Sequence, residues 1–245
     1  MIKLNAIKAP AVLTFQKIKE LTKEYLRSGK SVWNVDFIKS TLSDISHHKC
    51  AYCECALNRE SNFMEVEHFY CKKDYPLRVV IWKNLLPACK RCNGTKGDHD
   101  VAFEPIIHPV NDNPRDHIVL RDYWYHGRTN KGVMTIDVLK LNNIDRAVKP
   151  RADLGFQIYA NIDALNERLQ HYYAKASARK LSALRDATEA LLVECQPEAS
   201  YSASSATVVH GSDLYKNIVV QMKRDDLWSD TLETLHQKSL QIILM

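Results

Sequence analysis

Apolar residues recur at helical spacing over most of this chain. Residues 11 to 28 carry such a stripe and end at Ser28-Gly29, a pair that commonly closes a helix. A second stripe runs from Trp33 to Ile45 and predicts another helix. Between Asp153 and Cys195 the stripes are longer and change phase once, which predicts long amphipathic helix. The last segment, Leu214 to Met245, is again helical in pattern.

Two polar stretches interrupt this pattern. Residues 103 to 130 are rich in Pro, Asn, Asp and His, a composition that favours turns and extended chain. Gln196 to Ser205 is a Pro/Ser-rich connector. Between the two, Met134 to Leu139 fits either a strand or the start of a helix. Isolated histidines in a loop are usually surface groups, so we assign no metal to the three in the first stretch, His108, His117 and His126.

The composition favours helix as well. Seven glycines in 245 residues argue against a turn-rich β protein, and 45% hydrophobic residues suffice for the core of one or two domains. The net charge of +5 permits nucleic-acid binding without proving it. The N-terminus lacks a signal-peptide core before Pro10, and no apolar run is long enough to span a bilayer. We therefore predict a cytoplasmic protein without membrane contact.

The chemistry is concentrated between Cys50 and Gly97. Two Cys-x-x-Cys pairs, Cys50/Cys53 and Cys89/Cys92, offer the four thiolates of a closed structural zinc site. Cys55, His47 or His48 could replace one of these ligands, but the two-residue spacing of the first pair matches that of the second. Buried structural thiols or a redox Cys-x-x-Cys are the alternatives, and two pairs in a chain without a secretory signal favour zinc.

Several polar residues that could take part in chemistry lie between the two cysteine pairs or directly after the second pair. Phe63 to Phe69 reads as a strand that carries Glu67-His68, and Asn84 to Ala88 reads as its return partner. Asn93 directly follows the last cysteine and would open a helix. The sequence therefore predicts a hairpin that leads into a helix, held by zinc.

This segment resembles the HNH endonucleases, in the pattern EVEHF, WKNL, CKRCN and TKG. Their ββα-metal site runs Asp/Glu-His, then Asn, then His or Asn, and the corresponding residues here are Glu67-His68, Asn84 and Asn93. Many members have histidine where this chain has Asn93, a weaker ligand, which leaves the choice of metal open. The resemblance implies an α+β chain with a zinc-pinned ββα-metal (HNH) module at residues 49–104, between a helical segment 1–48 and a mostly helical region 105–245.

The resemblance also implies roles that agree with the chemistry of phosphodiester hydrolysis. His68 titrates in the range of a general base for water, and Asn84 would hold its imidazole in place. Glu67 and Asn93 are oxygen ligands for one catalytic Mg²⁺ or Mn²⁺. Glu65 would be a second metal contact or, more simply, a solvated or ion-paired acid.

Two further residues have simpler expected roles. Lys96 would touch the phosphate backbone or, by default, lie on the helix surface. Cys71 has no partner at ligand spacing and is expected to be a plain thiol.

The run TIDVLKLNN, with KCAYCE and EVEHF, is most similar to the small HNH nucleases of retron and Septu-type anti-phage defence systems. That kinship implies nucleic acid, DNA or RNA, as substrate and an ABC/SMC-like ATPase as partner. It also suggests a retron reverse transcriptase and its DNA product. This chain has no GxxxxGK[ST] loop of its own, so a partner would supply nucleotide hydrolysis. The alternative is a non-catalytic zinc module that binds nucleic acid or protein.

Overall fold

The computed structural model describes residues 1–6, 8–57 and 63–245. These residues form a mixed, mostly helical fold, which confirms the character predicted from the sequence. The helices are α1 Phe15–Ser28, α2 Asp36–Ile45, α3 Lys90–Lys96, α4 Asn130–Val138, α5 Lys149–Ala174, α6 Ala178–Val193, α7 Ser202–Gly211, α8 Asp213–Arg224 and α9 Asp230–Leu240. The strands are β1 Met64–His68, β2 Leu85–Cys89, β3 Ile118–Arg121 and β4 Trp124–Gly127. Within the described part of the chain, no helix combines the length and apolar character needed to cross a membrane.

Contacts among the described residues divide the chain into two compact units. Unit 1 contains Met1–Ile118 and Tyr125–Asn142, and unit 2 contains Val119–Trp124 and Asn143–Met245. The segments expected from the sequence end at residues 48 and 104, and these boundaries do not coincide with the division. One reason is that α2 packs against β1 and β2. The N-terminal helices and the cysteine-containing segment therefore share one core.

The first helix of unit 1 begins and ends where the sequence predicts. The side chain of Thr14 accepts a hydrogen bond from the backbone N–H of Lys17 and caps the N-terminus of α1. Gly29 closes the helix with a φ of 67°, a left-handed conformation that glycine adopts without a steric penalty. The second helix, α2, buries Ile38, Leu42 and Ile45 toward the core.

The predicted hairpin and helix form the centre of unit 1. β1 and β2 are antiparallel, with Glu67 opposite Leu86 and His68 opposite Leu85. Cys89 ends β2 and caps α3, because its sulfur accepts a hydrogen bond from the N–H of Cys92. The helix consequently begins at Lys90, three residues before the predicted start.

Unit 2 is a helical bundle with its own core. The predicted apolar stripes face inward, and most of their large residues are buried in one cluster. The cluster is built mainly from α5, α6, α8 and α9, through Ile162, Leu165, Leu169, Leu184, Leu191, Ile218, Met222 and Leu232. The stripes from Asp153 onward therefore pack within the chain.

Two local features of unit 2 differ from the sequence prediction. The long helix expected from Asp153 to Cys195 is interrupted after Ala174, because the side chain of Ser177 caps a new helix by accepting from the N–H of Lys180. The connector expected up to Ser205 ends earlier, since α7 begins at Ser202. The first residues of α7 are small and buried, so this helix packs closely at its N-terminal end.

Candidate metal centre and active site

The four predicted cysteine ligands come together in unit 1. The sulfurs of Cys50, Cys53, Cys89 and Cys92 lie within 4.8 Å of one another, and all four residues are buried. The Sγ atoms of Cys53 and Cys89 are 3.8 Å apart. A zinc ion bound tetrahedrally by thiolates at about 2.3 Å requires sulfurs about 3.8 Å apart. This group can therefore hold a structural metal such as zinc.

Local structure fixes each pair. Cys50 and Cys53 lie in the turn that follows α2, where the N–H of Ala51 donates to the carbonyl of Pro87 on β2. Cys89 and Cys92 lie on the first turn of α3. The guanidinium of Arg91 is 3.5 Å from the sulfur of Cys92. Because four thiolates outweigh the two charges of zinc, a neighbouring cation stabilises the loaded site.

His48, one of the alternative ligands, and Cys71, expected to be a plain thiol, have other partners. Nδ1 of His48 is 2.8 Å from the hydroxyl of Ser43. The thiol of Cys71 donates to the carboxylate of Asp74 at 3.0 Å. Among the residues that the structure describes, the four cysteines form the sole group of three or more metal-ligating side chains, so Cys55 and the histidines at 108, 117 and 126 lie outside such a group.

His68 is the last residue of β1 and is 5% exposed. Its Nε2 lies 2.9 Å from the carbonyl oxygen of Val79. A carbonyl only accepts, so Nε2 carries the proton and the lone pair of the neutral ring is on Nδ1. Burial lowers the pKa of His68 to about 4, and the indole of Trp33 meets the imidazole edge-on at 4.6 Å. The imidazole is therefore neutral and held in one tautomer.

Asn84 does not hold this imidazole directly, which corrects the expected contact. Its amide Nδ2 donates to the carbonyls of Tyr70 and Arg78, each at 3.1 Å. Its Oδ1 accepts from the N–H of Tyr70 at 2.7 Å. The side chain thus ties the loop after β1 to the turn that carries Val79, whose carbonyl holds the ring of His68. Its influence on the imidazole is indirect.

Lys96 is buried, which corrects the expectation of a surface lysine. Its Nζ lies 2.6 Å from Oε1 of Glu67 and donates to the backbone carbonyl of His68 at 2.8 Å. Glu67 is 2% exposed, and burial raises its pKa to about 7, although the ammonium of Lys96 opposes the shift. The carboxylate therefore forms a direct ion pair with Lys96 inside the fold.

Asn93 is held by the second acid of β1. Its Nδ2 donates to Oε2 of Glu65 at 2.6 Å. Because the amide nitrogen makes this bond, Oδ1 of Asn93 is left as the group available to a cation. The direct partners of Glu67 and Asn93 are thus different residues, Lys96 and Glu65. Both side chains nevertheless retain oxygen atoms that suit a hard divalent cation.

A groove of about 730 Å³ lies beside the loop that Asn84 holds. Its charged lining residues are three cations and one carboxylate, and two aromatic rings form part of its wall. The guanidinium of Arg78 lies 4.1 Å from the ring centroid of Tyr70, and Lys131 pairs with Asp112 at 3.1 Å. The groove is therefore cationic with an aromatic wall. The charged and aromatic residues of the lining just described are Phe69, Tyr70, Arg78, Lys83, Asp112 and Lys131.

Comparison with known proteins identifies the family. Over 242 residues the chain is 42% identical to Septu protein PtuB from Bacillus thuringiensis, an alignment that covers 98% of this chain and 92% of the relative. The chain belongs to the Septu PtuB family. A second Septu protein PtuB, from Bacillus mycoides (strain KBAB4), is 24% identical over 187 residues, which cover 58% of this chain and 63% of that protein. No family model and no solved structure matches.

Membership in the PtuB family confirms the Septu part of the resemblance drawn from the sequence. Several residues around the site of this PtuB relative were not foreseen, because their partners are distant in the sequence. Val79 orients His68, Glu65 holds Asn93, and Trp33 covers the imidazole. The apolar pattern predicts only helix packing for Trp33, and the spacing of residues in the sequence does not indicate a contact between Trp33 and His68.

Proposed function

We propose that the chain is a metal-dependent HNH endonuclease with a ββα-metal module, which hydrolyses phosphodiester bonds of nucleic acid. The observation that carries the proposal is the neutral imidazole of His68, held through Nε2 on a hairpin whose far end contains the four-cysteine cluster. Acids and an amide lie on the same hairpin and the helix that follows.

In this proposal His68 is the general base. Its Nδ1 accepts a proton from water as that water attacks the phosphorus atom. A base of this kind is effective only in its neutral form, and burial keeps the ring neutral at physiological pH. Asn84 keeps the loop rigid, so that the carbonyl of Val79 continues to fix the ring.

Glu67 and Asn93 would hold one Mg²⁺ or Mn²⁺ through oxygen atoms. The bound cation would neutralise charge on the phosphate and stabilise the leaving oxygen. Glu65 contributes by accepting a hydrogen bond from the amide nitrogen of Asn93, so that the amide oxygen is the atom that would bind the cation. As the family resemblance implies, the products would have a 3′-hydroxyl and a 5′-phosphate.

The cationic groove supports nucleic acid as the substrate. Arg78, Lys83 and Lys131 outnumber the one carboxylate, Asp112, among its lining residues. Phosphates bind to such cations, and bases stack on aromatic rings such as that of Tyr70. The groove adjoins the loop between His68 and Asn84. A nucleic-acid strand bound in the groove would therefore continue toward His68, the candidate general base.

The names of the relatives support a place in a Septu-type anti-phage defence system. We propose that an ABC/SMC-like ATPase acts as partner, because the resemblance implies one and this chain has no phosphate-binding loop of its own. In that arrangement the nuclease would stay silent until the partner assembles with it. The comparisons do not bear on a retron reverse transcriptase, which stays a sequence-based expectation.

The test is cleavage of plasmid DNA and of RNA in Mg²⁺ or Mn²⁺. The assay is run with the chain alone and with the ABC/SMC-like ATPase proposed as its partner. His68→Ala should lower the cleavage rate by at least about 100-fold, the usual contribution of a general base. His117→Ala, which removes a histidine outside the site, is the control and should cleave normally. Equal cleavage by the original chain and His68→Ala would remove His68 from the mechanism.

The ion pair of Glu67 with Lys96 favours a second candidate, a non-catalytic zinc module that binds nucleic acid or protein. In this case Glu67 would have a structural role. The module would bind zinc tightly and no second divalent cation. Nucleic-acid binding would be unchanged in His68→Ala, and neither the chain nor its complex with the ATPase would cleave.

A further inference from the structure

A fifth cysteine lies beside the four-cysteine cluster. Lys49 and Ala56 form an isolated antiparallel bridge, and one step inward along this pairing Cys50 lies opposite Cys55. The backbone confirms the register, because the N–H of Cys50 donates to the carbonyl of Cys55 at 2.9 Å. Cys55 is therefore the cross-strand neighbour of a candidate zinc ligand.

This geometry suits a disulfide. Opposed residues of an antiparallel pair have Cα atoms about 4.5 to 5.5 Å apart and side chains on one face. Disulfides span Cα distances of about 4.4 to 6.8 Å. The register therefore places Cys50 and Cys55 at a backbone separation that a disulfide can span.

Cys55 also differs from the four cluster cysteines in its exposure to solvent. The closed tetrahedral shell of a structural zinc site has four ligands, so a fifth thiol is left outside it. Cys55 is partly exposed, whereas Cys50, Cys53, Cys89 and Cys92 are buried. An oxidant from solvent therefore reaches Cys55 before the four buried sulfurs, and the oxidation of a cysteine depends on such exposure as well as on its thiolate character.

We propose that Cys55 is an oxidation site at which a hydroperoxide causes a disulfide with Cys50 and the release of the structural zinc. In the first step the sulfur of Cys55 attacks the peroxide, the O–O bond breaks, and a sulfenic acid and an alcohol (water, for hydrogen peroxide) form. In the second step the thiolate of Cys50 attacks the Cys55 sulfur, the S–O bond breaks, and hydroxide leaves to become water. The two sulfurs together lose two electrons, which the peroxide gains.

The disulfide removes one of the four zinc ligands. A disulfide sulfur is a poor ligand compared with a thiolate, so three thiolates remain and zinc affinity falls. Two of them, Cys89 and Cys92, form the first turn of α3, which also carries Asn93. Oxidation at Cys55 would therefore loosen the helix that positions a candidate ligand of the catalytic cation.

The experiment exposes zinc-loaded protein to hydrogen peroxide in the presence of a chromogenic zinc chelator. Zinc release should be about tenfold or more slower in Cys55→Ser than in the original chain, and Cys71→Ser should behave like the original. Peptide mapping without reduction should find the Cys50–Cys55 disulfide, and a thiol reductant with added zinc should reverse both changes.

Zinc content and circular dichroism of each variant before oxidation show whether it is folded. Release from Cys55→Ser at the original rate would overturn the proposal, as would a disulfide map that omits Cys55. A Cys55→Ser protein that folds but binds no zinc would also overturn it, because Cys55 would then be a ligand. If Cys55→Ser fails to fold, Cys55→Ala and the disulfide map of the original chain decide the question.

Discussion

The ammonium of Lys96 lies 2.6 Å from the carboxylate of Glu67, and both side chains are buried. This ion pair joins the end of α3 to β1, the strand that carries the candidate base. The same ammonium donates to the backbone carbonyl of His68. The helix after the second cysteine pair is therefore fixed to the strand by a charge pair as well as by the cysteine cluster. Breaking the pair should change both stability and the ionisation of Glu67.

Replacement of Lys96 by methionine leaves the carboxylate buried without a cation. Removal of one partner of a buried pair commonly costs about 3 to 5 kcal/mol, so we expect Lys96→Met to lower the free energy of unfolding by about that amount at pH 7. The measurement is urea denaturation. The control is the double variant Glu67→Gln/Lys96→Met, which removes both charges and should recover much of the loss. Strict additivity of the two single changes would show that the pair contributes nothing.

The hydrogen bonds of Asn84 predict a local effect on the loop. Asn84→Ala deletes three bonds to the backbone of Tyr70 and Arg78, each worth about 1 kcal/mol. The amide of Tyr70 should then exchange its hydrogen faster. The proposed cleavage should also slow, because Val79, whose carbonyl holds the ring of His68, is no longer fixed by the loop. Asn84→Asp is a matched control, since it keeps an acceptor for the N–H of Tyr70 but has no donor. Unchanged exchange at Tyr70 in Asn84→Ala would contradict this account.

The cationic groove predicts how nucleic acid binds. In a His68→Ala background, which should slow the proposed cleavage by at least about 100-fold, Lys83→Glu should weaken the binding of nucleic acid and reduce the dependence of affinity on salt. Each lost phosphate contact lowers the slope of log affinity against log salt by about 0.7 for single strands and about 0.9 for duplex DNA. Fluorescence anisotropy over a salt series measures both quantities. Lys23→Glu, on the exposed side of α1, makes the same charge change away from the groove. Equal weakening by both variants would mean that only net charge matters.

Periodic and paired features of this protein could be predicted from the sequence. The two Cys-x-x-Cys pairs indicated the cluster, and the run from Phe63 to Phe69 that carries Glu67-His68 indicated β1. Local spacing also fixed the closure of α1 at Gly29, because helix caps depend on residues within one turn.

Contacts between distant segments could not be predicted in this way. The sequence does not reveal that Lys96 points inward to a strand 28 residues earlier, nor that Asn84 bonds to Tyr70. The change of phase between the two apolar stripes does not by itself show that the helix stops, and the structure shows a new helix capped by Ser177 at that point. Such features depend on which segments meet in the fold, and periodicity does not contain that information.

A buried histidine in unit 2 predicts that stability falls in mild acid. Nε2 of His210 is 2.7 Å from the hydroxyl of Ser239, and burial lowers the pKa of His210 to about 4. An unfolded histidine takes up its proton near pH 6.5, so between pH 6.5 and 4 the unfolded state binds more protons and stability decreases as pH falls. The loss for this group approaches about 1.4 kcal/mol per pH unit.

His210→Gln keeps a polar group for Ser239 and should reduce the slope of the free energy of unfolding against pH between pH 6.5 and 5, while other buried histidines keep part of that slope. The exposed His126 provides the control, His126→Gln, which should leave the slope unchanged. Denaturant titrations at several pH values measure these slopes, and identical slopes for His210→Gln and the original chain would contradict the prediction.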